Sequence, residues 1–314
     1  MTMPLPLKDC YERRARYVDD QFGLSSESPS TGAVHDMRVG LKRLRAFFDL
    51  VESIAPGFAA EHAFAPAGKL FRAAGRVRNI QVFEAKVRES STTKSLELSE
   101  YYNWLKDDER REIKKFRRAC RRFGKGFFES AWKSMACVLD GPAAGRITTG
   151  AEGRLFGLIK EIKTERSMRH DVRRLHFLRT RTKEARYTLE ILQECGLAGD
   201  EGALLNDRFR DVHQSLGSWH DEEIVLESLR EFRKRRAPGP LVSFKSYLEF
   251  SRLTKAHKAE DLARFEAAWA DLLGFLGRGN GRRVLRPRTA RSPQGGAVTG
   301  SEKPPDDGST TPTA

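Results

Sequence analysis

The sequence predicts an all-α protein built from stacked helical bundles, and three observations carry that reading. Apolar residues recur at i, i+3, i+4 and i+7 over most of the chain, strand-like alternation is absent, and the helical stretches are parted by Gly, Pro and Ser punctuation. At 314 residues the chain is long enough to bury a sizeable core as two domains or as two halves of one.

The periodic stretches run over roughly 8–22, 34–54, 60–89, 96–122, 126–140, 152–195, 201–235, 241–259 and 261–276. The breaks read GLSSESPSTG at 23–32, APG at 55–57, SSTTK at 90–94, DGPAAG at 140–145, CGLAGDEG at 195–202 and APGP at 237–240. They divide the chain into a first helical half within 1–140, a linker at 141–151 and a second half at 152–276. From 277 to 314 Gly, Pro, Ser and Thr dominate and large apolar residues nearly vanish, which predicts a disordered tail.

Charge is the strongest compositional signal. Against 43 Asp and Glu stand 57 Lys and Arg, a net +14. The tail holds seven basic and three acidic residues, so +4 lies there and +10 on the helical body. Such a balance points to a polyanionic partner. Cys10, Cys120, Cys137 and Cys195 show neither a C-x-x-C pair nor regular spacing, so they read as reduced thiols and not as a disulfide framework or a zinc site. No apolar run reaches the ~18 residues of a membrane span and the N-terminus lacks a secretory apolar region. A soluble, cytoplasmic protein is expected, without membrane insertion and without a metal or cofactor.

An internal repeat sharpens the charge argument. VHDMRVGLKRLRAFF at 34–48 returns as LHFLRTRTKEARYTL at 175–189. His35, Arg38, Lys42, Arg45 and Asp49 are matched, 141 positions on, by His176, Arg179, Lys183, Arg186 and Glu190. At 100° per residue each His/Arg/Lys/Arg set spans about 80° of helix circumference. In the first copy that stripe borders the apolar face of Val34, Met37, Leu41, Leu44 and Phe48. A basic stripe on one amphipathic helix is ordinarily a solvated face, but two copies in one register weaken that reading.

The repeat extends downstream. AAGRVRNIQVF at 73–83 corresponds to SLGSWHDEEIV at 215–225, with Gly75 opposite Gly217, Arg78 opposite His220 and Asn79 opposite Asp221. Aligning Trp132 with Trp269 sets Glu112, Lys115, Arg118 and Arg121 on Glu249, Arg252, Lys255 and Lys258, with Phe128 on Phe265. Each half thus has at least two basic helices.

The paired H-x-x-R-x-x-x-K-x-x-R motif, each copy followed some forty residues later by G-x-x-(R/H)-(N/D), resembles the CHAD family, the conserved histidine α-helical domain, over about 8–276. The resemblance implies two four-helix bundles related by a pseudo-two-fold axis, a basic central groove or pore lined by the histidine helices, binding of inorganic polyphosphate, and residence at polyphosphate granules. It implies His35, Arg38, Lys42, Arg45, His176, Arg179, Lys183 and Arg186 as the ligand-facing set. Arg78, Lys115, Arg118, Arg121, Arg252, Lys255 and Lys258 follow as secondary candidates. The sequence departs from the family at Asn79, where an acid is usual, at Glu184-Ala185, and in lacking a first-half counterpart of Tyr187.

The chemistry of the stripes suits such a ligand. Arginine offers a planar fork for two phosphate oxygens and lysine a mobile point charge, so a mixed stripe grips a row of anionic tetrahedra in many registers. From His35 to Arg45 the stripe is roughly 15 Å long, which favours a linear polyanion over a compact one. The histidines, with a reference pKa near 6.5, are expected to gain charge beside phosphate and to tighten binding as pH falls toward about 6.

Two other readings stand beside this one. Nucleic-acid binding fits the charge, but no nucleic-acid motif is present, and Phe47, Phe48 and Tyr187 suit packing better than base stacking. A metal-dependent phosphohydrolase of HD type is suggested by His35-Asp36, His170-Asp171 and His220-Asp221. However, the Arg/Lys stripe around His35 repels a divalent cation, and His213 and His220 lie about 10.5 Å apart along a helix, too far for one metal. A phosphate loop, a nucleophile elbow, an H-E-x-x-H motif and the E-x-E-x-K strand of a triphosphatase domain are all missing. The chain therefore reads as a binding module and not an enzyme.

Overall fold

The computed structural model describes residues 5–124, 126–139, 144–165, 171–235, 244–278 and 284. Among them nine helices form and no strand. They are α1 (Leu5–Glu27), α2 (Thr31–Ile54), α3 (Ala60–Lys94), α4 (Ser99–Arg122), α5 (Phe127–Leu139), α6 (Ala144–Thr164), α7 (Val172–Glu194), α8 (Asp200–Arg235) and α9 (Phe244–Gly277).

Two repeat helices form the centre for local reasons that differ. Ser30 ends the serine-rich break by accepting the Ala33 amide at 3.3 Å, which caps α2. Val34, Met37, Leu41, Leu44 and Phe48 then turn one continuous stripe inward and are fully buried. Asp171 caps α7 by accepting the Arg173 amide at 2.9 Å. That cap divides the stretch 152–195, whose periodicity predicts one helix, into α6 and α7. The stretches 241–259 and 261–276 are conversely one helix, α9.

The predicted linker is also shorter than its composition suggests. Residues 144–151 are the first two turns of α6, and Gly150 explains why a small residue stands there. A Cβ at Gly150 would lie 2.8 Å from Ile54 Cα and 2.8 Å from the Ser53 carbonyl oxygen, so this glycine lets α6 cross the end of α2 backbone to backbone. One residue of the predicted tail, 277–314, is packed against the helical body. Val284 is fully buried, and its carbonyl accepts the Gly199 amide at 3.2 Å in the turn before α8. The rest of 285–314, like His170, lies outside the described residues.

The helices of the two halves interlock. Helix α2 packs on α1, α3, α6 and α7, while α7 packs on α1, α2, α6 and α8, so α1 and α6 each touch both central helices. One continuous apolar core therefore runs through both halves. A second cluster, with Tyr101, Phe232, Tyr247 and Phe250, joins the far ends of α3, α4, α8 and α9. Phe265 lies in the main core, with Phe128, Trp132 and Trp269 packed against it, as the aligned tryptophan segments lead one to expect.

The glycines of α6 provide a test of this crossing. Gly150→Ala is expected to lower stability by about 1–3 kcal/mol, because backbone cannot yield as a side chain does. Gly153→Ala, in open space three residues on, is expected to raise it by about 0.5–1 kcal/mol. Urea unfolding of the two variants should move the midpoints in opposite directions.

Candidate functional site

The two stripes meet where α2 and α7 pack together and α3 and α8 flank them. Lys42 and Lys183 line one pocket of about 190 Å³, walled by Leu41, Phe64, Phe71 and Tyr187. Around them stand Arg38 from α2, Arg179 from α7 and Arg78 from α3, close enough to perturb one another's ionisation. Among the described residues, none of Arg38, Lys42, Arg78, Arg179 and Lys183 has a carboxylate within 4.0 Å. What sets these five apart is that they lack an acid while partly buried; several exposed cations of α4, by contrast, carry their own acid one turn away, as in Lys115–Glu112 at 2.6 Å and Arg111–Asp108 at 2.9 Å.

The outer members of the stripes are neutralised. Arg45 pairs with Asp49 at 2.9 Å and lies over the Phe64 ring at 5.5 Å. Arg186 pairs with Glu190 at 3.2 Å and stacks on Tyr187 at 4.9 Å. Glu190 also takes Arg43 at 3.1 Å, which ties α7 to α2, and Arg154 of α6 reaches Asp49 at 3.7 Å and Glu184 at 3.5 Å. The repeated acid at the end of each motif is therefore a clasp between helices, leaving the inner cations without partners.

Ionisation follows from this crowding. Burial lowers Lys42 to about 7, helped by Lys183, Arg38 and Arg179 and opposed by Asp221. Burial likewise lowers Arg38 to about 10, with Arg78 and Arg179 adding to it, and lowers Lys183 and Arg179. Lys42 is thus the group that changes charge near neutral pH.

In the empty protein His35 lies below the reference pKa of an ordinary histidine. His35 is exposed at the end of the stripe, and burial of its ring with Arg78, Lys42 and Arg38 nearby still lowers its pKa. His176 stands edge-on to His220, ring centroids 4.7 Å apart, and 5.5 Å from buried Trp219. His213, which the sequence raised only as a metal ligand, and His220, the repeat partner of Arg78, both lie on α8 within the influence of the cluster. Burial and the surrounding cations depress them to about 3 and about 4. Neutral at pH 7, His213 offers Nδ1 to the Arg186 guanidinium at 3.3 Å. Asp221, held above the usual carboxylate range by burial, acts on Arg78, Arg179 and Lys42. The sequence signal for all three was their spacing of seven and eight along one helix face. Among the described residues no three His, Cys, Asp or Glu side chains are grouped to hold a metal.

The repeat is not equal in its details. Arg38 Nη1 donates to the Phe71 carbonyl at 2.8 Å and the guanidinium lies 4.3 Å above the Phe71 ring. A Cβ at Gly75 would come within 2.6 Å of that nitrogen, so Gly75 makes room for a fixed arginine. At Gly217 the same atom would meet nothing within 4 Å, and Arg179 Nε is buried without a hydrogen-bond partner among the described residues. One arginine is pinned and its counterpart is unsatisfied.

Of the secondary candidates only Arg78 joins the cluster. Lys258 is paired with Glu223 and lies 5.3 Å over Trp219. Lys115, Arg118, Arg121, Arg252 and Lys255 are exposed on α4 and α9, with Arg252 held by Glu249 at 2.6 Å. Lys115 and Arg118 instead line a separate groove with Lys69 and Arg122.

The comparisons with known proteins agree on one family. A sequence model of the CHAD domain matches residues 24–201. Among solved structures, the crystal structure of the CHAD domain from the plant Ricinus communis is similar over 91% of this chain and 92% of its own, at 18% identity and a TM-score of 0.62. PptA from Streptomyces chartreusis is similar over 86% of this chain and 100% of its own, at 14% identity and a TM-score of 0.58. No curated protein matches the chain.

Lysine-resolved NMR titration of the free protein is expected to show Lys42 ionising at about 7, well below the ~10.4 of an ordinary lysine. An ordinary value near 10.4 for Lys42 would mean that the cluster is hydrated and open.

Proposed function

The chain belongs to the CHAD domain family, and on that premise we propose that its cationic cluster binds inorganic polyphosphate in a groove or pore between the histidine helices. The observation that carries the reading is the set of five cations gathered from α2, α3 and α7, partly buried and yet without a carboxylate partner. Such a set is costly in the empty state and is relieved by a ligand that brings several negative charges at once. A linear anion of repeating phosphates meets the stripe of α2 on one side and that of α7 on the other. Arg38, Arg179 and Arg78 supply forked donors, while Lys42 and Lys183 supply point charges.

The pseudo-two-fold arrangement belongs to the same reading. Its support is the matched adjacency of the helices, α2 with α3 and α7 with α8, and α3 with α4 and α8 with α9. We take the protein to be a binding module associated with polyphosphate granules, acting by holding the polymer and not by cleaving it. Release of orthophosphate from polyphosphate in the presence of Mg²⁺ or Mn²⁺ would contradict that view. No helix is long and apolar enough to cross a membrane among the described residues.

Nucleic acid is the competing polyanion, and charge alone does not separate the two, since both bind with a steep salt dependence. The aromatic residues at the cluster favour polyphosphate. Phe71 and Phe64 lie under arginines and Tyr187 is buried beneath Arg186, so none presents a free face to a base. Displacement of polyphosphate by tRNA or duplex DNA at equal phosphate concentration would reverse the preference.

Charge reversal tests the residues directly. Lys42→Glu combined with Lys183→Glu is expected to weaken polyphosphate binding by at least about a hundredfold, the loss of two charge-assisted contacts. The thermal midpoint should hold or rise as repulsion is relieved, and unchanged affinity would remove the cluster from the site.

The pH dependence follows from Lys42. Bound polyphosphate favours the charged amine and raises its pKa above about 7. Affinity is therefore expected to grow as pH falls from about 9, by up to about tenfold per pH unit, and to level off below about 7. A gain that begins only below pH 7 and vanishes in His35→Ala with His176→Ala would return the titration to the histidines.

A further inference from the structure

We propose that Lys42 is a modification site, acylated by small acyl phosphates drawn into the pocket that it shares with Lys183. Loss of its charge would then weaken the hold of the cluster on polyphosphate. The inference rests on the reading of this cluster as a phosphate site, and it adds a second class of substrate and a means of regulation.

The geometry supplies what an acyl transfer to lysine needs. The pocket of about 190 Å³ has room for about six waters at about 30 Å³ each, or for one small phosphate compound. Leu41, Phe64, Phe71 and Tyr187 give it apolar walls, and the two carboxylates that also line it are neutralised, Asp49 by Arg45 and Arg154 and Glu184 by Arg154 and Arg181. Arg38 and Arg179 perturb Lys42 from its own helix and from α7, and Lys183 faces it across the pocket, so a phosphate dianion is attracted to the place where the amine stands. Lys42 itself has no carboxylate within 4.0 Å among the described residues, and Asp221 of α8 is the acid that acts on it from further away.

The same cations keep the amine nucleophilic. At pH 8 an ordinary lysine is only about 0.4% neutral amine. Lys42, lowered to about 7, is mostly neutral there. In the transfer, the Lys42 Nζ lone pair attacks the acyl carbon and an amide bond forms. The bond from that carbon to the phosphate oxygen breaks, and one amine proton leaves with the departing orthophosphate. No oxidant, reductant or metal enters the balance. The amide cannot take up a proton, so the cluster loses the positive charge that Lys42 would otherwise regain when polyphosphate binds. Lys183 is the less suited of the facing pair, because Glu184 beside it favours its protonated form.

The test treats the full chain with acetyl phosphate at pH 8 and follows each lysine by quantitative peptide mass spectrometry. Lys42, with a neutral fraction far above the ~0.4% of an ordinary lysine at pH 8, is expected to be acetylated at least about tenfold faster than the exposed reference sites Lys114 and Lys160. Saturating polyphosphate should abolish the difference, and p-nitrophenyl acetate, which has no phosphate, should show a smaller preference. The acetylated protein is expected to bind polyphosphate about tenfold more weakly, the value of one charge-assisted contact. Equal rates at Lys42 and the exposed lysines, faster reaction at Lys183, or unchanged affinity after acetylation would each overturn the proposal. Polyphosphate binding is measured on the same unmodified sample. Intact binding without selective acetylation refutes the modification alone, whereas selective acetylation without polyphosphate binding refutes the polyphosphate reading and leaves Lys42 as an acyl acceptor.

Discussion

Like charges held together away from water are the constraint on which the rest of this structure depends. Arg38, Lys42, Arg78, Arg179 and Lys183 repel one another, and burial removes the solvent that would screen them. The surrounding helices must resist that repulsion. Glu190 clasps Arg43 and Arg186 across α2 and α7, while Glu194 takes Arg14 of α1 at 2.7 Å and Asp49 takes Arg154 of α6 at 3.7 Å. At the far end Lys86 of α3 reaches buried Glu222 of α8 at 2.5 Å. Acids are thus used to join helices around the cluster, and the cluster is left without them.

The same constraint decides which groups can respond to pH. A histidine among guanidinium groups is driven neutral, so His213 and His220 serve as uncharged neighbours, and His213 accepts a hydrogen bond from Arg186. A lysine starts from a higher pKa, and the same environment brings Lys42 down only to the neutral range. The conspicuous histidines of the motif mark the site, whereas the lysine beside them titrates in it.

Much of this was legible in the sequence, for identifiable reasons. Apolar spacing located the helices because burial imposes it, and the repeat located Arg38, Lys42, Arg179 and Lys183 because identical registers place identical groups on facing helices. What was hidden depended on contacts between distant segments. Gly150 reads as linker composition until Ser53 and Ile54 are seen against it, and Val284 reads as tail until its carbonyl meets Gly199. Gly75 and Gly217 align in the repeat, yet only Gly75 has an arginine lying across it. The exposed cations of α4 and α9 matched one another equally well, but sequence register does not say which face of a helix points to the interior.

The central claim is that burial, reinforced by cationic neighbours, leaves a lysine of the empty cluster largely deprotonated above about pH 7 and that polyphosphate restores its charge. Calorimetric titration of polyphosphate into the protein at pH 8, repeated in buffers of different ionisation enthalpy, measures the protons taken up on binding. The account predicts net uptake approaching one proton per occupied cluster from Lys42. Binding with no proton uptake at this pH would contradict it.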